Sequence, residues 1–320
     1  MSVRRGLIGL PAWVHATVGV LLTTGLTVLA IGGVALPRWL APRRSEVPAA
    51  IERTAADAGR LWQRAAGEIA WAKGVAPDDA LVGSELTPLV TTLGEIEAKR
   101  VSVSPAWAPA LARELRGAGI HEGDVVAASL SGSFPGINLA LMSACQALGA
   151  KLVAVSSVTA SSWGATDPGF TWPEMEVRLV DAGILRGSTV AVSAGGEGDR
   201  ALDLDDAGRT LARGIAMRCA RRLGAQMIEP ATFDEAIRAR LHAYDAARGA
   251  RPIAVFVNVG GTQASLGLSP AILRVRNGWL EPVPFDLSPG RGLVARMVER
   301  GVPVLHVLNV RDLALRWGIL

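Results

Sequence analysis

The chain has 320 residues, half of them apolar, with 36 glycines and a formal net charge of +4 at pH 7, enough for a substantial core. The basic excess is local, since residues 1–44 hold five arginines (Arg4, Arg5, Arg38, Arg43, Arg44) and no acid. Removing those five from 33 Lys+Arg leaves 28 against 29 Asp+Glu, a net charge of −1 over residues 45–320, so nothing in the balance argues for nucleic acid.

After a short tail, 1–13, the first predicted element is "VHATVGVLLTTGLTVLAIGGVAL" at 14–36, in which His15 is the only titratable side chain. Its 23 residues reach about 35 Å as a helix, enough to cross a bilayer. Trp13 and Trp39 stand just outside its ends, where aromatic belts lie. A cleaved signal peptide fits less well, because the apolar run is long and "PRW" is a poor cleavage site. The segment therefore predicts an uncleaved single-pass anchor. Arginines flank both ends, so the positive-inside count is a tie, and the short tail favours an outside domain.

Residues 46–74 place Ile51, Ala55, Ala58, Leu61, Ala65 and Ile69 at helical spacing, which predicts an amphipathic stalk helix that packs back on the domain. The section 81–100 is polar and rich in turn residues, and its pattern assigns no element. It carries Glu85, Thr91, Thr92, Glu97, Lys99 and Arg100. Beyond it, helical patterns at 105–118, 136–148, 173–183, 205–223, 232–247 and 290–300 alternate with strand patterns at 124–130, 151–156, 188–193, 225–228, 252–258 and 302–307. The strands are continuous apolar runs such as "KLVAVSS" and "RPIAVFVNV", as a sheet covered on both faces requires. The expected fold over 80–320 is α/β, a doubly wound, mostly parallel sheet. The apolar end, "RDLALRWGIL", predicts a short closing helix.

Four loops after predicted strands are rich in Gly, Ser or Thr: "SGSFPG" (131–136), "SSVTASSWGATDPG" (156–169), "SAGGEGD" (193–199) and "NVGGTQASLG" (258–267). Open parallel sheets bind ligands at the carboxyl ends of their strands, and glycines with small hydroxyls suit close backbone approach to an anion. The candidate ligand-binding residues are Ser131, Gly132, Ser133, Ser161, Ser162, Gly195, Gly196, Asn258, Gly260, Gly261 and Thr262, with Asp167 and Asp199 as further loop candidates.

Ser131 and Ser133 also have the strand–turn–helix context of a nucleophile, although G-x-S-x-G is absent. A serine nucleophile needs a base. His15, His121 and His242 are badly placed along the chain, which leaves His306 and Lys99 as candidate bases. Cys145 and Cys219 fall in apolar helical patterns and read as core residues. No metal motif, P-loop or GxGxxG is present, so neither metal nor nucleotide cofactor is expected.

Four segments together resemble the poly-gamma-glutamate system protein family: "LVGSELTPLVTTLGEIEAKR", "GDVVAASLSGSFPGINLALMSACQALG", "SSVTASSWGATDPGFTWPEME" and "VPVLHVLNVRDLALRWG". The resemblance implies a membrane protein accompanying an ATP-dependent amide ligase and a small membrane subunit in synthesis and export of an anionic, γ-linked polymer. It carries no established catalytic residues. A second, shorter likeness, over "VVAASLSGSFPGINLALMSACQALGAKLVAVSS", is to the sugar-isomerase domain pattern that binds sugar phosphates. Three functions follow as expectations. The first, and favoured, is an accessory protein holding the anionic polymer or a precursor at the loop edge. The second is a serine hydrolase or transferase acting on the γ-amide, and the third is a sugar-phosphate-binding domain.

Overall fold

The computed structural model describes residues 48–280 and 290–320; the expected anchor at 14–36 lies outside them. Among the described residues no helix is long and apolar enough to cross a membrane.

The chain opens with α1 (Pro48–Lys73), whose buried stripe is Ala55, Ala58, Trp62, Ala65, Ala66, Ile69 and Ala70. Small alanines let α1 lie close against α3 (Trp107–Gly117) and α4 (Pro135–Leu148). Trp62 Nε1 donates to the Gly136 carbonyl at 2.9 Å, locking α1 to the start of α4. The helix expected to be a stalk is thus one layer of the domain core.

The turn-rich section is ordered. It holds the strand β1 (Val90–Thr92) and the helix α2 (Ile96–Ser102). β1 pairs in parallel with β4 (Ala160–Ser161), a two-stranded ribbon separate from the main sheet. The pairing spans about seventy residues of sequence, so no local pattern marked it.

The main sheet contains β2 (Val125–Leu130), β3 (Lys151–Ser157), β5 (Thr189–Ser193), β6 (Gln226–Ile228), β7 (Ile253–Val259), β8 (Gly278–Leu280) and β9 (Val304–Val307). Their spatial order is β6-β5-β3-β2-β7-β9-β8, with β8 antiparallel to β9 and every other pair parallel. The fold is α/β with a mostly parallel sheet, as the apolar strand runs required.

Odd and even strand positions separate cleanly between the two faces. Val126, Ala128 and Leu130 pack with α4 and its neighbours, while Val125 and Ala127 face the opposite layer. α5 (Trp172–Asp181) and α6 (Asp206–Leu223) cover the first face, and α7 (Phe233–Arg248) and α9 (Leu293–Glu299) the second. The short α8 (Gln263–Leu266) follows β7, and α10 (Val310–Arg316) closes the chain. From β2 the chain winds outward through β3, β5 and β6, then returns to add β7 on the other side of β2. The strand order therefore reverses between β2 and β7, where a doubly wound sheet opens a crevice. Cys145 and Cys219 are buried free thiols, and burial pushes both up to about 12, consistent with core packing.

Gly136 is where α2 and α4 touch: a Cβ there would lie 2.5 Å from the Ser102 carbonyl oxygen and 2.9 Å from Val103 Cα. Gly136→Ala should cost about 1–3 kcal/mol in urea unfolding. An unchanged midpoint would mean that the contact yields freely.

Candidate functional site

A cleft of about 440 Å³ opens at the carboxyl edge of the sheet. The turn after β2 contributes Ser131 and Ser133, the segment after β3 contributes Thr159 and Ser161, and the loop after β7 contributes Gly261 and Thr262. Thr91 and Thr92 of β1 form part of its wall, and Glu197 and Asp203 come from the loop after β5.

Lys99 lies beneath these serines. Its side chain is 2 % exposed and has no carboxylate partner among the described residues. Its Nζ instead donates to the Ser133 carbonyl and to Ser161 Oγ, the latter at 2.7 Å, and lies 4.6 Å from the centre of the Phe134 ring. Burial lowers its pKa to about 7 from the ordinary lysine value of 10.5. The ring face favours the cation, but desolvation prevails, so near neutral pH a large share of Lys99 is a free amine. A neutral amine keeps two N–H donors and gains a lone pair. It can still donate to the Ser133 carbonyl while accepting a proton from Ser161.

Two glycines permit this approach. At Gly94, between β1 and α2, a Cβ would lie 2.8 Å from the Ser162 carbonyl oxygen and 3.2 Å from Lys99 Cε. At Gly164 a Cβ would meet the Gly132 carbonyl oxygen at 2.8 Å, and Ala165 N donates to that oxygen at 2.8 Å.

The three serines form one hydrogen-bonded set. Ser131 Oγ accepts from Ser133 N at 3.1 Å and donates to Ser133 Oγ at 3.0 Å, and Ser161 N also donates to Ser133 Oγ, at 3.2 Å. A hydroxyl oxygen has two acceptor positions, so Ser133 Oγ is fully used as an acceptor and its own hydrogen is left to donate into the cleft.

Below the cleft floor is a second polar assembly. Arg240 of α7 is fully buried and pairs with buried Asp199, Nε to Oδ2 and an Nη to Oδ1 at 2.7 Å each. The same guanidinium donates to Ser157 Oγ at 2.8 Å and Ser193 Oγ at 2.7 Å, and reaches Ser129 Oγ at 3.4 Å. Ser157 and Ser193 are register partners at the ends of β3 and β5, and Ser129, level with Val155 near the end of β2, faces the same α7 side. Ser265 of α8 donates to Ser129 Oγ at 2.7 Å and accepts from Thr262 Oγ1 at 3.0 Å, which carries the network to the cleft wall. Asp199 adopts φ 62° without being glycine, a strained conformation that the double ion pair holds in place.

The structure thus gathers Ser131, Ser133, Ser161, Gly196, Gly261 and Thr262 around one cleft, with Lys99 behind Ser161. Gly132 lies behind the serine turn, and Gly260 backs it, where a Cβ would meet Ser131 Cβ at 2.8 Å. Ser162 is buried against β1, its N donating to the Thr92 carbonyl. Gly195 packs on Ser157 and Thr159. Asn258 and His306 are both buried and pair with each other, Asn258 Nδ2 donating to His306 Nδ1 at 3.1 Å. Burial lowers His306 to about 4, and its bond is to Asn258 rather than to either serine. Asp167 binds Ser84 at 2.6 Å, and Glu97 forms an exposed ion pair with Arg100 at 3.6 Å.

Sequence reasoning missed Thr159, Glu197, Asp203 and Arg240. For Arg240 there was a signal: Ala236, Ile237, Arg240, Ala243 and Tyr244 form the buried stripe of α7, so the arginine occupies an apolar-face position.

The chain matches no protein-family model, no curated protein and no solved structure.

Two outcomes are expected. Arg240→Met leaves Asp199 charged and buried, and should cost about 3–5 kcal/mol, with partial recovery in Arg240→Met combined with Asp199→Asn. Equal stability of the single and double variants would contradict the pairing. Between about pH 7 and 10.5 the unfolded chain holds the Lys99 proton that the folded chain has released, so stability rises with pH across that window. Lys99→Met should flatten this rise and raise the melting temperature at pH 7. A lower melting temperature would show that the lysine is structural.

Proposed function

We propose that this protein is a serine–lysine acyl-transfer enzyme that opens amide bonds, with Ser161 as nucleophile and Lys99 as its base. The observation that carries this reading is the buried Lys99 amine, without a carboxylate partner among the described residues, in a 2.7 Å hydrogen bond with a cleft-lining serine. A buried lysine without a carboxylate partner is costly to the fold, and a lowered pKa is what a lysine base requires.

In this mechanism Ser161 Oγ attacks the amide carbonyl as Lys99 Nζ takes its proton. The Ser133 hydroxyl donates to the carbonyl oxygen as it gains negative charge. Lys99 then returns the proton to the leaving amine, the C–N bond breaks, and an acyl-serine remains. Water, or an acceptor amine, attacks the ester with Lys99 again as base and frees Ser161. Arg240 acts through the scaffold only, holding the ends of β2, β3 and β5 beneath the cleft.

The favoured sequence-based expectation, a cradle for a polyanion, gains no support from charge. Among the described residues the cleft is lined by Glu197 and Asp203 and by no arginine or lysine. We retain the poly-gamma-glutamate system as the proposed setting, with residues 14–36 as a membrane anchor and the γ-amide as the bond acted on. The amide ligase and small membrane subunit remain the proposed partners.

A fluorophosphonate probe should modify Ser161 in the full-length protein, and Lys99→Met should reduce labelling by at least about 10³-fold. Labelling should rise with pH through an apparent pKa near 7, because the base acts when neutral. Modification of Ser131 or Ser133 instead would move the nucleophile. No modification at any serine, with the fold intact, would sink the enzymatic reading.

A further inference from the structure

One wall of the cleft is aliphatic. Leu266, Leu268, Pro270, Ile272 and Leu273 line it, in the segment that runs from α8 through the 3-10 turn Pro270–Arg274. Leu268 is 51 % exposed and Leu273 64 % exposed, although both stand in a concavity shared with the serines. Single exposed leucines need no explanation, but several in one cleft are what a site for an apolar group presents.

The wall is built into the fold. Ile272 is buried, and Leu266 packs on the same core cluster, on the side of the sheet that α7 and α9 cover. Leu268 N donates to the Gly290 carbonyl at 2.8 Å, and a Cβ on Gly290 would lie 2.7 Å from the Leu268 side chain, so the leucine rests on bare backbone. Gln263 Oε1 accepts from Gly198 N at 2.7 Å, which ties the start of this segment to the loop after β5. At about 440 Å³ the cleft is of the size that encloses one small ligand, so a group opened at Ser161 also meets this wall.

Charge narrows the occupant. Among the described residues the charged side chains on the cleft are Glu197 and Asp203, so a carboxylate laid on the leucines would lose hydration and gain no cation. In the proposed setting the acyl group on Ser161 is γ-glutamyl. Its α-carboxylate needs hydrogen-bond donors, which the hydroxyl-lined part of the cleft offers and the leucines do not.

We infer that Leu266, Leu268, Ile272 and Leu273 form a subsite for the amine side of the amide, and that this amine carries an apolar group. The inference rests on the acyl-transfer reading and adds the class of the leaving or accepting amine. Inside a γ-linked polymer that amine is a further glutamate with its own carboxylate. The enzyme therefore releases the chain from an apolar amine, or joins it to one, and works poorly on interior bonds. In the joining direction the amine nitrogen attacks the acyl-serine carbonyl and the ester C–O bond breaks. Lys99 takes the proton from the amine and returns it to Ser161 Oγ.

The test uses the full-length protein in lipid nanodiscs and three amides, with the released amine measured: γ-glutamyl-leucinamide, γ-glutamyl-glycinamide and γ-glutamyl-isoglutamine, whose amine side carries a carboxylate. The leucinamide should be released about 10-fold faster than the glycinamide in kcat/KM, and the isoglutamine slowest. Leu268→Asn combined with Leu273→Asn should bring the leucinamide-to-glycinamide ratio close to one. Both positions are exposed, and a ratio within one sample does not depend on how much of the protein is active. A ratio near one in the unsubstituted protein, or a ratio that survives the double substitution, overturns the inference. Hexanoyl-glycinamide and acetyl-glycinamide probe the other side of the bond. A hexanoyl preference that the double variant abolishes would put the apolar group on the acyl side and overturn the inference as well.

If none of the amides is cleaved, the acyl-transfer reading fails and binding alone decides the subsite. Nuclear magnetic resonance titration of Ser161→Ala should then shift the methyl signals of Leu268 and Leu273, with γ-glutamyl-leucinamide bound about 10-fold more tightly than γ-glutamyl-glycinamide. Equal affinity overturns the subsite.

Discussion

The interaction on which the rest of the site depends is the buried pair between Arg240 and Asp199. A guanidinium enclosed by protein must be neutralised and must have its N–H groups satisfied, or the fold loses several kcal/mol. Here one carboxylate does the first, and serines from three neighbouring strands do most of the second. The consequence is geometric. The ends of β2, β3 and β5 are tied to one planar group, so the loops that leave them start from fixed positions. Asp199 itself belongs to the loop after β5, which brings Glu197 and Asp203 to the cleft.

Above that base, the topology decides what can meet. Strand order reverses between β2 and β7, so the turns after them diverge and leave a crevice. The ribbon of β1 and β4 then brings a separate segment of chain against the edge, and α2 follows β1 directly. Lys99 arrives beneath Ser161 by this route. Its amine is kept from water by Phe134 and the serine turn, which is also why its proton is lost easily.

Stability and chemistry pull against each other at several points. Among the described residues Lys99 lacks a counter-ion and Thr159 Oγ1 lacks a partner, and Asp199 and Ala201 have positive φ without being glycine. Each is a local cost that the surrounding packing sustains, as are Trp163 with its positive φ and the unpaired buried Ser143 Oγ and Thr166 Oγ1 away from the cleft.

By itself the sequence determined the elements and their layering. Apolar runs of strand length, separated by amphipathic helices, admit little besides a parallel sheet covered on both faces, and the turn residues between them marked the boundaries. It also named Ser131, Ser133, Ser161 and Lys99, because small hydroxyls at strand ends and a lysine in a polar segment are visible as residue types. Only the tertiary structure decided which of them meet. Lys99 and Ser161 are 62 residues apart, and Arg240 and Ser129 are 111 apart, so no periodicity links them. Burial is likewise a property of the folded whole, and burial is what lowers the Lys99 pKa to about 7. Which charges line the cleft followed from which loops converge, and that convergence is a property of the fold rather than of any one loop.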